Sequence, residues 1–295
     1  MGEIVGYGMV SHVPPIVLSE EDRRELNGGP DLSLVDGLHR MKTQVFDRLK
    51  PDTVIVLDTH WITLMHHIFD ARAERRGVFT AEEILTNPGM QSVPFDLPGD
   101  PELCKAVAEV AAGRGDTWVV AADEPNLPMS YGTVNLLGFL QGDENWVRIG
   151  TCQTAQPADW AILGEMIGEA VAQLDRRVVL LGSGSLSHRF WPMAELRQHE
   201  SASLEHIRTP EARAADEAII AAWERGDHAA VIDGVDTFMQ YAPEGHFGHY
   251  LGLIGAIGGR DCVAPGVRYS EYESSAGTGQ LHIWFEKPEK GWTDD

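Results

Sequence analysis

Basic residues are scarce in this chain: 23 Lys and Arg stand against 45 Asp and Glu, a formal charge of -22. Such a surface repels nucleic acid and anionic membrane and favours solubility, and a negative substrate would need local positive charge to offset it. Cysteine is scarce too. Cys104, Cys152 and Cys262 lie far apart with no C-x-x-C spacing, which excludes a disulfide framework and a thiolate zinc site and fits a reducing cytoplasm. No apolar run reaches membrane-spanning length, and Met1-Gly2-Glu3 opens no basic-then-apolar leader, so neither export nor an anchor is expected. Without internal repeats or low-complexity linkers, one domain over residues 1–295 is the simplest organisation.

What is present is a set of buried-strand patterns. Val54-Ile55-Val56-Leu57 is an almost unbroken aliphatic run that stops in Asp58-Thr59-His60-Trp61. Such a run suits a strand covered on both faces. Residues 3–10 predict a first strand ending in Ser11-His12-Val13-Pro14-Pro15. Val178-Val179-Leu180-Leu181 predicts another that opens into Gly182-Ser183-Gly184-Ser185-Leu186-Ser187-His188-Arg189-Phe190. Leu34, Leu38, Met41, Val45 and Leu49 recur at helical spacing. Asp100-Pro101-Glu102 and Thr209-Pro210 are helix starts with a capping side chain and proline at the first helical position. Helices are also expected over 132–140 and 157–174, and strands over 117–121, 147–150, 263–272 and 280–285. Residues 64–99, with Pro88, Pro94 and Pro98, read as a long irregular excursion lining a pocket. The fold class is therefore α/β: a central, mostly parallel or mixed sheet flanked by helices, with the active site at strand carboxyl ends.

His12, His60 and His188 each follow an apparent strand. One such histidine is ordinarily a satisfied structural residue; three together point to a site. Two histidines and one carboxylate with open positions is the arrangement of non-haem Fe(II) oxygenases, but spacing alone does not choose among the many carboxylates. His66-His67 and His246/His249 are further candidate pairs. Gly182-Ser183-Gly184-Ser185 matches neither a phosphate-binding loop nor a G-x-S-x-G nucleophile elbow.

Four stretches together resemble the type III extradiol ring-cleaving dioxygenases: Ser11-His12-Val13-Pro14, Asp58-Thr59-His60-Trp61, Gly182 through Phe190, and Ser274 through Gln280. They span almost the whole chain in family order, and the likeness is greatest to the 3,4-dihydroxyphenylacetate 2,3-dioxygenase branch. The resemblance implies that His12, His60 and Glu244 bind Fe(II) and that His188 acts as acid/base beside it. It also implies a small aromatic substrate and dioxygen, with a homo-oligomeric assembly and a non-catalytic partner subunit left open. Tyr131 stands where members acting on dihydroxyphenylpropionate carry a second catalytic histidine, and the dihydroxyphenylacetate and aminophenol branches resemble this chain there. Trp61, Arg189 and His249 are taken as substrate-side residues, Arg189 as a partner for a substrate carboxylate and His249 also as a support for a neighbouring ligand. A 2-aminophenol or other substituted catechol is the rival substrate, and a non-enzymatic binding module on the same fold is the rival of another class.

Overall fold

The computed structural model describes residues 1–80 and 92–294. Twelve strands occur among the described residues: β1 Glu3–Val10, β2 Thr53–Thr63, β3 His67–Asp70, β4 Glu74–Phe79, β5 Val93–Pro98, β6 Val119–Ala122, β7 Asn145–Cys152, β8 Arg177–Ser183, β9 Gly266–Arg268, β10 Glu273–Ser275, β11 Thr278–Gln280 and β12 Ile283–Glu286. Eight form one sheet in the order β6-β3-β7-β2-β8-β1-β12-β9. Its centre, β7-β2-β8-β1, is entirely parallel, and antiparallel pairs appear only toward the edges.

The aliphatic runs explain why β2 and β8 are central. Ile55, Leu57, Val178 and Leu180 pack into the core on one face, while Val54, Val56, Val179 and Leu181 pack into the core on the other. Period-2 alternation puts every second side chain on opposite faces, so a strand buried on both must be apolar throughout. Helices Pro157–Gln173 and Gly248–Gly255 lie over the first core. Their backbones approach so closely that a Cβ on Gly164 would lie 2.3 Å from the Gly252 carbonyl oxygen. Helices Ser33–Met41 and Tyr131–Leu140 cover the other face. The helical stretch expected to reach Leu49 does so through a wider π-type turn at Lys42–Phe46.

The excursion expected over 64–99 is a correction. Its described part contains β3, which joins the main sheet between β6 and β7, and the two-stranded ribbon β4-β5. Pro94 and Pro98 signalled loop, yet β5 pairs along one side only, where a strand tolerates a missing N–H. Residues 81–91 of that stretch, Pro88 included, lie outside the described residues. The strand expected over 263–272 is shorter, three residues at β9, and the one expected over 280–285 is divided between β11 and β12.

Candidate metal centre

The carboxyl ends of β1, β2 and β8 converge on one point. His12 follows β1 by two residues, His60 lies in the last part of β2, and the loop after β8 carries Ser185 and His188. Glu244 arrives from the opposite direction, in a single 3-10 turn just before the helix Gly248–Gly255. Gly245, His246 and Phe247 that follow it have φ of 54°, 54° and 60°. Three consecutive left-handed residues, two of them not glycine, are an unfavourable backbone that surrounding packing must hold in place.

His12 Nε2 lies 3.4 Å and His60 Nε2 3.0 Å from Glu244 Oε1. Donor atoms of all three residues fall within 4.8 Å of one another, and this is the one His/Cys/Asp/Glu group among the described residues arranged to hold a metal ion. Hydrogen bonding sets the protonation of His12. Ser183 Oγ donates its single proton to the Gly132 carbonyl, so toward His12 Nδ1, 2.9 Å away, it accepts. His12 therefore carries its proton on Nδ1 and turns an Nε2 lone pair toward Glu244. Glu244 Oε1 already receives the Thr59 hydroxyl at 2.5 Å, and Oε2 receives the Ser185 N–H at 2.7 Å. Two buried acceptors thus face each other, an arrangement that a cation between them satisfies. Burial alone would raise the Glu244 carboxyl, whereas a proton carried toward it by His188, His12 or His60 pulls the group well below the usual carboxylate range, the same effect a cation in that position has.

A buried network positions His60. Asp58 Oδ1 accepts the His60 N–H at 3.0 Å, while Oδ2 accepts Ser130 Oγ–H at 2.7 Å and Thr133 Oγ1–H at 2.6 Å. Arg148, fully buried, lies 3.7 Å from Asp58 and stacks its guanidinium 4.8 Å from the Trp61 ring centre. Burial would raise the Asp58 carboxyl, yet Arg148 and the two hydroxyls keep it below its ordinary value. A Cβ on Gly132 would lie 2.2 Å from Asp58 Oδ1, so only glycine lets the start of the 131–140 helix come this close. That helix places the Tyr131 ring 3.9 Å from the His60 ring and 5.4 Å from the His12 ring.

His188 is held from two sides. Its Nδ1 lies 2.6 Å from Ser185 Oγ and 3.7 Å from Glu244 Oε2. The preceding Ser187 donates both its N–H and its hydroxyl to the buried Asp216, which also receives Tyr272 O–H at 2.6 Å. Burial pushes the His188 pKa below its ordinary value, against the opposing charge of Glu244, so the neutral imidazole predominates at neutral pH.

His12, His60, Tyr131, His188 and Glu244 all line one cavity of about 500 Å³, within the usual size of a small-molecule site. Trp61, Arg189 and His249 do not line it. Trp61 is buried beneath Arg148, and Arg189 is exposed, donating to the Gln240 carbonyl at 2.6 Å. His249 is fully buried behind Gly184, and burial pushes its ring down to about 4. Of the other candidate histidines, His67 is buried edge-on against Trp160 rather than gathered with further ligands. Residues that sequence reasoning passed over are Thr59, Ser183, Asp216 and Arg148. Ser183 and Ser185 were visible as part of the glycine-serine stretch, but nothing in a linear reading says that they serve histidines rather than a phosphate.

An α/β sheet whose parallel strands end in a His-His-Glu group, two of its members buried and His60 half-buried, beside a cavity defines a class of metal-dependent enzymes acting on small molecules. Comparison with known proteins narrows this. The chain belongs to the family of the catalytic LigB subunit of aromatic ring-opening dioxygenases, whose model matches residues 6–283. It is 28% identical to 3,4-dihydroxyphenylacetate 2,3-dioxygenase of Escherichia coli over 262 residues, covering 88% of this chain and 91% of that protein. It is 27% identical to the 2-aminophenol 1,6-dioxygenase beta subunit of a Pseudomonas species over 199 residues, 63% of each chain. The fold is also that of the crystal structure of the uncharacterized protein JW3007 from Escherichia coli K12, with a TM-score of 0.62 at 14% identity, covering 95% of this chain and 99% of that one. No helix among the described residues is long and apolar enough to cross a membrane.

Proposed function

We propose that this protein opens a catechol-type ring by extradiol cleavage, using Fe(II) and dioxygen to give a muconic semialdehyde that keeps both oxygen atoms. The observation that carries the reading is the facing pair of acceptors, His12 Nε2 and Glu244 Oε1, with His60 Nε2 beside them. Two neutral imidazoles and one carboxylate suit Fe(II). Iron bound there would supply a Lewis acid for the ring hydroxyls and electron density for dioxygen.

The chain's own groups do the rest. His188, neutral and with Nδ1 engaged by Ser185, has Nε2 free to accept a phenolic proton and later return it. Tyr131, against the His60 ring, orients the substrate or dioxygen at the cavity wall. Apolar walls from Val13, Pro14, Leu18 and Phe190 hold the ring and keep water away.

The likeness to the Escherichia coli enzyme supports a 3,4-dihydroxyphenyl ring with a short side chain, and 3,4-dihydroxyphenylacetate is the reference substrate. Tyr131, at the position shared with the aminophenol branch, supports 2-aminophenol as a second reading. The beta-subunit relative supports an oligomer of this chain, with or without a non-catalytic partner, and three buried free thiols fit a cytoplasmic setting. Single-domain organisation over residues 1–295 completes the proposal.

The test is anaerobic reconstitution with Fe(II), followed by oxygen uptake and visible absorbance with 3,4-dihydroxyphenylacetate, catechol, protocatechuate and 2-aminophenol in parallel. A yellow product with one dioxygen consumed per ring establishes extradiol cleavage. Iron binding without uptake on any ring would favour a binding role for the same site.

A further inference from the structure

Besides the metal-side residues, the cavity's lining combines apolar side chains, the neutral polar Ser275, Thr278 and Gln280, and one further acid. Away from the metal centre, Leu18, Leu26, Phe190 and Leu196 face the space, and Glu200 lines it as well. Among the described residues, no lysine or arginine lines this cavity. Three arginines of the neighbouring segments are committed elsewhere, Arg23 bidentate on Asp31, Arg24 to Glu20 and the Gly29 carbonyl, and Arg189 to the Gln240 carbonyl, while Arg197, next to Leu196, is exposed and does not line the cavity. Glu200 has no ion pair among the described residues.

A substrate carboxylate placed in this cavity would lose water without gaining a cation, beside a like charge, in a chain whose overall charge is -22. Such burial of an unpaired charge is strongly unfavourable, and like charges at close range add to it. An uncharged side chain carries no such penalty against the apolar and neutral polar walls, and an ammonium would find Glu200 as its partner.

We propose that Glu200 makes this site selective for a dihydroxyphenyl ring whose side chain is not anionic, either uncharged or ending in an amine. This rests on the ring-cleavage reading above. It gives Glu200 the role of a specificity-determining residue and separates this chain from a relative named for an acid.

Three ligands of similar size test it: 4-ethylcatechol, dopamine and 3,4-dihydroxyphenylacetate, each measured for kcat/KM by oxygen uptake and for Kd by anaerobic calorimetry with the Fe(II)-loaded protein. The expected result is that 4-ethylcatechol and dopamine exceed the acid by tenfold or more in both quantities. Glu200→Gln should narrow the dopamine-to-acid ratio at least threefold, through KM and Kd rather than kcat, and Glu200→Lys should narrow it further or invert it. Equal or better handling of the acid by the natural protein overturns the proposal. So does a ratio that Glu200→Gln leaves within twofold. If no ring is cleaved, the ring-opening reading fails, and the order of the Kd values still decides the selectivity.

Discussion

Asp58 Oδ1 accepts the backbone N–H of His60, two residues ahead of it, at 3.0 Å. Its other oxygen takes the hydroxyls of Ser130 and Thr133, on either side of Tyr131 and Gly132. One buried carboxylate thus ties the metal-side histidine of β2 to the start of the helix that carries Tyr131, with Arg148 as its counter-charge.

Removing this carboxylate should therefore act on both folding and the site. Asp58→Ala leaves the fully buried Arg148 with Asp70 as its remaining acid, 3.4 Å away, and destabilises the protein by about 3–5 kcal/mol, the range for breaking a buried ion pair. Asp58→Asn keeps an acceptor for His60 N–H and should cost less stability. It should still lower metal affinity about 10–100-fold, as removal of supporting groups does elsewhere. Chemical denaturation and metal titration read the two effects separately, and unchanged metal affinity in both variants would deny Asp58 this role.

Glu244→Gln should separate stability from metal binding in the opposite way. In the metal-free protein Glu244 Oε1 faces the His12 Nε2 lone pair, whereas a glutamine amide could donate to His12 and His60 while its oxygen keeps the Ser185 N–H. The metal-free variant should melt at or above the temperature of the natural protein. Fe(II) at about 100 times Kd adds about 2.7 kcal/mol to a protein that binds it. Anaerobic melting should show that gain in the natural protein and its loss in Glu244→Gln; an equal gain in both would place the metal elsewhere.

How much of this was legible in the sequence follows from which groups act locally. The central strands, the strand-end histidines and the capped helices could be read because each depends on neighbours along the chain. The described part of 64–99 could not. β3 is four residues long and β4-β5 is a ribbon outside the main sheet, so neither has the length or the apolar continuity of β2 and β8. Glu244 was reached through family resemblance alone, because the carboxylate that meets His12 comes from the far end of the chain on a strained turn. Asp216 gave no signal at all: it is one acid on an amphipathic helix, and only the packed structure turns it toward Ser187 and Tyr272.

That placement makes Asp216 titrate unusually. Burial pushes its carboxyl up to about 6 from an ordinary 3.8, against the lowering effect of the Ser187 and Tyr272 hydrogen bonds. A raised folded pKa means the folded state binds the proton more tightly than the unfolded chain. The stabilisation is fully present below pH 3.8 and is lost as pH rises through about 6, by about 3 kcal/mol in all. Asp216→Asn does not titrate, so the stability difference between natural protein and variant should shift against the natural protein between pH 4 and 7. Parallel stability profiles would show that Asp216 is not protonated in this range.

The acid/base role of His188 makes a final demand on both rate and pH. Ser185 engages Nδ1, and burial lowers the ring's pKa, so the neutral base survives to a lower pH than a free histidine near about 6.5. The acid limb of kcat/KM should accordingly fall below that value, with activity lost as pH drops through it and His188 gains a proton. His188→Phe removes the base but none of the three metal-side donors. It should bind Fe(II) as the natural protein does while turnover falls about 10²–10⁴-fold, the usual contribution of a general acid/base. The acid limb that His188 supplies should be absent from its residual rate. Retained turnover, or an acid limb at the same pH in the variant, would assign proton transfer to another group at the cavity wall, and Tyr131 is the one placed against the His60 ring.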